Sequence, residues 1–249
     1  MRKYIADLHV HTLLSPCAEI EMTPRLITKY AAMLGIDILA ITDHNTSRNV
    51  KAAIEAAKEY DITIIPGMEL QTQEEIHLIC LFPTLEALEE WQQVVNESLP
   101  DMKNNDKVLG AQFVVDAQDE LVAVEERLLL ASTKLSVEEA VSGIDKLGGI
   151  CIAAHIDRQA YSVISQLGFI PPGVSFAALE ISRHASKQMI CEKIPSVQAF
   201  PVVVSSDAHR LGDLVSPKTL FYLEEPTFIE IVQAFKGENQ RRVVVEPPR

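Results

Sequence analysis

Two histidines, His9 and His11, stand in the stretch Asp7-Leu8-His9-Val10-His11, directly after a short apolar run at Tyr4 and Ile5. On a strand, side chains alternate, so the spacing predicts Asp7, His9 and His11 on one face and Leu8 and Val10 on the other. Two imidazoles then converge on one point, where each can offer a neutral nitrogen to a metal while a carboxylate orients the other nitrogen. Taken alone, the pattern is weak, and the pair reads more readily as two hydrogen-bonded or surface histidines. Further ligand types follow other apolar runs: His44 after Ile36 to Thr42, Glu69 after Ile62 to Pro66, His155 after Ile150 to Ala154, and Asp207 with His209 after Pro201 to Ser205. Any one of these reads as a cap or turn residue. Together they point metal chemistry at the end of a sheet where α/β proteins build their sites.

Positioning them requires strands separated by helices. Thr23-Pro24 opens a helical pattern that stops at Gly35, with an N-cap, a proline at the first helical position and a glycine past the end. A strand from Ile36 to Thr42, an alanine-rich helix from about Arg48 to Tyr60 and strands at Ile62 to Pro66 and Ile76 to Phe82 follow, the last carrying His77. His77 fits either a ligand or a core histidine. From Pro83 to Gly148 the rhythm changes: a helix from Leu85 to Val95, an irregular linker from Leu99 to Gly110, a hairpin of Phe113 to Val115 with Leu121 to Val124, and a helix whose Ser136 and Glu139 form a capping box. Alternation then resumes with strands at Ile150 to Ala154, Ala177 to Ile181 (containing Glu180 and followed by Arg183-His184), Pro201 to Ser205 and Thr219 to Leu223. A helix from Thr227 to Lys236 and a strand from Arg242 to Val245 precede a Pro-Pro tail. This order predicts an α/β protein with a parallel sheet in a closed or nearly closed barrel, the competing architecture being an open doubly wound sheet. No phosphate-cradling glycine loop is present. The expected domains are a barrel of residues 1–82 and 149–249 and an inserted subdomain of residues 83–148.

The 249 residues are 47% hydrophobic, enough for a large core, and the net charge of −13 speaks against a general nucleic-acid binder. Residues 83–148 hold 14 acidic and 5 basic side chains, so most of the acidity lies there. Cys17, Cys80, Cys151 and Cys191 are scattered and form no Cys-x-x-Cys pair. With no signal-length or membrane-spanning apolar run, a soluble cytoplasmic protein in a reducing compartment is expected.

The motifs Asp-Leu-His-Val-His at 7–11, Ile-Thr-Asp-His at 41–44, Gly-Met-Glu at 67–69, Ala-His at 154–155 and Ser-Asp-Ala-His at 206–209 resemble, in order, those of the PHP (polymerase and histidinol phosphatase) family. The likeness runs to about residue 210 apart from the insertion. It implies a distorted (β/α)7 barrel holding two or three divalent metals, with zinc, manganese and iron as candidates. By motif, His9, His11, Glu69 and Asp207 would hold the first metal, Glu69 would bridge to a second held also by His77 and His155, and His44 and His209 would hold a third. Asp7 and Asp43 read as carboxylates that orient neighbouring imidazoles. The family often places an aspartate near Pro16-Cys17. Pro16 cannot ligate; either Cys17 is a thiolate substitute favouring zinc or iron, or it is a small buried loop residue and the third site is weak or empty.

Such a cluster suits phosphoester hydrolysis by metal-activated water, with His9, Glu69, Asp207 and His184 as the catalytic residues. Arg158 and Arg183 are candidate phosphate ligands, each as readily a surface arginine, the reading preferred for Arg210. His184 is either a proton donor or substrate contact, or a solvated loop histidine. The expected function is hydrolysis of a small phosphorylated substrate, a nucleotide phosphate or a short oligonucleotide end, with no extended nucleic acid and no membrane as partner. The alternatives are a non-catalytic metal-stabilised module that docks a partner and an amidohydrolase-type C–N hydrolase. The latter commonly carries a modified lysine at a strand end, and none stands there.

Overall fold

In the computed structural model, residues 1–215 and 219–246 are described; the Pro-Pro tail lies outside them. Eleven strands and eight α-helices follow in the order β1 (Arg2–Val10), α1 (Pro24–Met33), β2 (Ile38–Ile41), α2 (Val50–Ala56), β3 (Thr63–Gln71), β4 (His77–Leu81), α3 (Leu85–Ser98), α4 (Asp106–Leu109), β5 (Phe113–Val115), β6 (Leu121–Val124), α5 (Val137–Lys146), β7 (Ile150–Ala153), α6 (Val163–Leu167), β8 (Ala178–Glu180), α7 (Lys187–Lys193), β9 (Val202–Val203), β10 (Thr219–Leu223), α8 (Phe228–Lys236) and β11 (Arg242–Val245). The main sheet has the order β11-β10-β1-β2-β3-β4-β7-β8-β9. The bridge between Val10 and Ala208 and the hydrogen bond from His11 N–H to the Ala208 carbonyl bring the segment after β9 back to β1. The sheet is therefore a nearly closed barrel, with β10 and β11 as an antiparallel flank on β1.

The expected all-parallel sheet is corrected to a mixed one. β1, β2 and β3 run parallel, as do β7, β8 and β9, but β4 is antiparallel to both of its neighbours. The link from β3 to β4, Thr72 to Ile76, is far too short for the crossover that a parallel pair needs. This reversal places His77, the first residue of β4, opposite Gln71, the last residue of β3, at the same end of the barrel as the other ligand types.

A second correction concerns β1. The ladder with β2 slips between Asp7 and Val10. Leu8 consequently belongs to the inner barrel core with Ala6, Ile38, Ile65, Ile79 and Ile152, whereas Val10 belongs to the outer layer between sheet and helices. The outer layer also takes Leu88, Trp91 and Val95 of α3 and Val137, Ala140 and Ile144 of α5, so both helices share the core of the sheet. A smaller cluster of Leu14, Leu99, Val114 and Leu129 seats the β5–β6 hairpin beside the loop after β1. The caps follow the sequence: Thr23 accepts from Leu26 N–H, and Ser136 with Glu139 forms the capping box of α5. No helix among the described residues is long and apolar enough to cross a membrane.

Candidate metal centre

Six of the seven histidines meet at the end of the barrel where β1, β2, β3, β7 and β9 finish and β4 begins. Glu69 is the centre. Its Oε1 lies 3.2 Å from His9 Nε2, 2.9 Å from His77 Nδ1 and 3.3 Å from His155 Nε2. Its Oε2 lies 3.3 Å from His11 Nε2 and 2.9 Å from His44 Nδ1. Asp207 Oδ1 stands 3.3 Å from both His9 Nε2 and His11 Nε2, and the ring of His209 stacks on that of His11 with centroids 4.1 Å apart. His155 and Asp207 both take left-handed backbone, with φ of 28° and 50°. A side chain with a Cβ pays strain there, and such positions concentrate at functional sites.

Three of the imidazoles are oriented by a group behind them. His9 Nδ1 bonds to Glu180 Oε2 at 3.0 Å, which turns Nε2 into the cluster. His11 Nδ1 bonds to Ser15 Oγ at 3.0 Å, and Ser15 Oγ donates to Asp43 Oδ1 at 2.7 Å. His77 Nε2 bonds to Gln71 Oε1 at 3.1 Å, leaving Nδ1 for Glu69, while Tyr161 stacks on the His77 ring with centroids 4.6 Å apart. Asp43 thus acts on His11 through a serine hydroxyl. Asp7 touches no imidazole; its Oδ1 accepts from Ser206 N–H at 3.0 Å and His9 N–H at 3.4 Å, which ties β1 to the loop carrying Asp207. Glu180, Ser15 and Gln71 were given no role from sequence. Glu180 alone left a signal, an isolated carboxylate inside an apolar strand, and it is 2% exposed.

Charge balance follows from this packing. Burial opposes ionisation of Glu69, but His77, His9 and His44 outweigh it and hold the carboxyl well below the usual carboxylate range. Burial likewise works against His9, and the charges of Glu180, Glu69 and Asp207 lift it well above the ordinary imidazole value. His44, against burial, is pushed up to about 10 by Glu69 and Cys17. The Cys17 thiol is brought down to about 7, burial being overcome by hydrogen bonds to His209 and His44. Cys17 therefore sits against two of the expected third-site ligands rather than packing in a loop core, and the residue is exposed.

The residues fit a metal group. His44 Nδ1 and Glu69 Oε2 are buried and lack an aligned hydrogen-bond partner although they stand 2.9 Å apart. Buried polar atoms of native proteins are normally satisfied. Three triads have ligand atoms close enough to share an ion: His9, His11 and Glu69; His44, Glu69 and His77; and His11, His44 and His209. His44 thus belongs as much with Glu69 and His77 as with His209.

Beside the cluster is a cavity of about 220 Å³ lined by Arg158, Glu180, Arg183, His184, Ser206 and Asp207 among others. Arg158 is paired with Asp207 Oδ2, and Arg183 Nε donates to His184 Nε2 at 3.3 Å. His184 is exposed. Arg210 lies away from this group in an exposed ion pair with Glu19 at 3.2 Å.

A mixed barrel whose strand ends carry six clustered histidines and two carboxylates defines an α/β protein with a site whose side chains could hold metal ions. The model of the PHP domain family matches residues 7–167, and the chain belongs to that family. It is 22% identical over 275 residues to the uncharacterized protein YqxK of Bacillus subtilis, covering 98% of this chain and 65% of that protein. It is 33% identical over 104 residues to a 5'-3' exoribonuclease of Haemophilus influenzae, covering 39% of this chain and 36% of that protein. Among solved structures, the lesion-specific endonuclease PfuEndoQ from Pyrococcus furiosus superposes with a TM-score of 0.74 at 18% identity, covering 97% of this chain and 58% of that one. Endonuclease Q in complex with a 27-mer duplex substrate bearing an abasic lesion at the active site superposes with a TM-score of 0.75 at 18% identity, with the same coverage. These structures share the fold, and the chain spans 65% and 58% of the length of the YqxK and endonuclease Q chains.

Proposed function

We propose that this chain is a metal-dependent phosphoesterase module that hydrolyses a small phosphorylated substrate, a nucleotide phosphate or the end of a short oligonucleotide. The observation that carries the reading is the convergence of five imidazoles on the two oxygens of Glu69, with His44 Nδ1 and Glu69 Oε2 left without aligned partners. His9, His11, Glu69 and Asp207 would hold one divalent ion; Glu69, His77 and His155 a second; and His44 and His209 a third, with His44 also within reach of the second. The contact of Cys17 with both His44 and His209 supports a thiolate at that third position and with it zinc or iron over magnesium or manganese. Bound divalent cations would lower the pKa of a water and neutralise phosphate oxygens.

The chain's own residues do the rest. Glu180, Ser15 with Asp43, and Gln71 hold His9, His11 and His77 in the rotamers and tautomers that present a bare nitrogen to the centre. Arg158 and Arg183 line the adjacent cavity, where planar guanidinium groups match phosphate oxygens. His184 lines the same cavity, which supports it as the donor of a proton to a leaving oxygen. The endonuclease Q and exoribonuclease likenesses support nucleotide chemistry for the substrate.

Replacing Asp207 or His9 by alanine is expected to remove bound metal and phosphate release together. Metal analysis of protein purified without chelators, coupled to a phosphate-release screen over nucleotides, sugar phosphates and short oligonucleotides, checks this. Undiminished turnover by either variant would rule the reading out.

A further inference from the structure

Cys80 in β4 and Cys151 in β7 are directly opposite each other in the antiparallel ladder. Ala154 N–H donates to the carbonyl of His77, its opposite residue when the same register is continued, at 3.1 Å. Hydrogen-bonded and non-hydrogen-bonded positions alternate along such a ladder, so the 80/151 pair occupies a non-hydrogen-bonded position. There the Cα atoms approach to about 4.5 Å and the side chains stand on the same face. That separation falls inside the window of about 4.4–6.8 Å that a disulfide spans. Both thiols are buried in the outer core layer, Cys80 Sγ donates to the Leu78 carbonyl at 3.4 Å, and both cysteines are free.

We propose that Cys80 and Cys151 are an oxidation site that closes reversibly to a cross-strand disulfide when the protein meets a peroxide. β4 leads into the excursion of residues 83–148 and β7 leads out of it, so the bond staples both ends of that excursion to the barrel. Access comes through a cavity of about 570 Å³ that Cys151 lines together with Ile144, Phe176, Phe200 and Phe235. The sulfur of Cys151 attacks one peroxide oxygen, giving a sulfenic acid and releasing one water. The sulfur of Cys80 then attacks the sulfenic sulfur, forming the S–S bond and releasing a second water. Two thiols lose two electrons to the peroxide, and both thiol protons end on water. Burial, with Cys80 beside it, pushes the Cys151 thiol up, so closure is slow at neutral pH compared with oxidation of an exposed thiol such as Cys17. The site needs neither metal nor phosphorylated substrate and stands apart from the proposed function.

The test incubates the folded full chain, stripped of metal, with hydrogen peroxide, then unfolds, alkylates and digests it for peptide mass mapping. The expected result is a linked pair of peptides carrying Cys80 and Cys151, two hydrogens lighter than the reduced pair, formed without denaturant and lost on treatment with dithiothreitol. Cys80→Ser should prevent the link, and because the linked pair is read in the unmodified chain, a variant that fails to fold does not decide the matter. Full alkylation of Cys80 and Cys151 after Cys17 and Cys191 have been consumed would overturn the proposal. So would a link whose appearance requires a denaturant concentration that unfolds the chain.

Discussion

At the scale of single residues, the metal centre depends on groups that never reach it. Glu180 makes two contacts from one carboxylate: it accepts the Nδ1 proton of His9 and the backbone N–H of His155, both at 3.0 Å. It therefore fixes one ligand by its ring and another by its strained backbone. Glu180→Ala should lower metal affinity by roughly 10–100-fold, the usual effect of removing the partner of a ligating histidine. Glu180→Gln should lose less, since its amide oxygen still accepts the Nδ1 proton. Competition against a chelator of known affinity checks this, and equal affinity for the alanine variant and the parent would contradict it. Asp7 gives a different prediction. Burial raises its carboxyl from 3.8 to about 6, despite the N–H bonds from Ser206 and His9. A carboxyl raised on folding binds its proton more tightly in the folded state, so its contribution is full below the unfolded value of 3.8 and lost as pH rises through about 6. Above that, ionised Asp7 costs the metal-free protein up to about 3 kcal/mol for the shift to about 6. Asp7→Asn should accordingly raise the urea midpoint of chelator-treated protein at mildly alkaline pH, with the gain disappearing as the pH falls below that of unfolded aspartate. A gain independent of pH would show that Asp7 is not the titrating group.

At the scale of elements, much of the site was readable because metal-ligand types followed apolar runs, and strand alternation carries that information locally. His9, His11, His44, Glu69, His155, Asp207 and His209 are in the cluster for that reason, and the boundary residues Thr23 and Ser136 mark helix ends where expected. Strand direction was not readable in the same way, because alternation is identical for a strand run in either sense. The available signal was the connection. Thr72 to Ile76 holds no helix, and a link that short joins antiparallel neighbours. Reading it would have put His77 at the cluster end of the barrel, since the start of its strand lies there once β4 is reversed. The slip in β1 was hidden for another reason: a bulge inserts one residue without changing the composition of the run. Partners such as Ser15, Gln71 and Glu180 come from separate strands and loops, so only the folded arrangement associates them with their histidines.

At the scale of the whole molecule, charge bears on which of the proposed substrates fits, because a metal centre alone would treat them alike. Phosphate tracks on long nucleic acids are bound by lysine and arginine that release counterions, so such binding weakens steeply as salt rises. This chain carries a net charge of −13, with 14 acidic against 5 basic residues in the segment 83–148. That segment borders the site: Asn49 on α2's approach donates to the Phe113 carbonyl at 3.1 Å, and Phe113 N–H donates to the Leu13 carbonyl at 3.3 Å, so the β5–β6 hairpin lies against the loop after β1. On the proposed reading, this acidity disfavours a long polyanion, and a short one would be held by the divalent ions with Arg158 and Arg183. The Michaelis constant for a mononucleotide or dinucleotide should therefore change little between about 50 and 200 mM salt, an interval over which a protein with several phosphate contacts loses orders of magnitude in affinity. Longer single strands should be cleaved no more efficiently per end than short ones. Steady-state kinetics across a ladder of oligonucleotide lengths at both salt concentrations measures this. A Michaelis constant that falls with length and climbs steeply with salt would show a basic track and move the substrate from a short end to an extended strand.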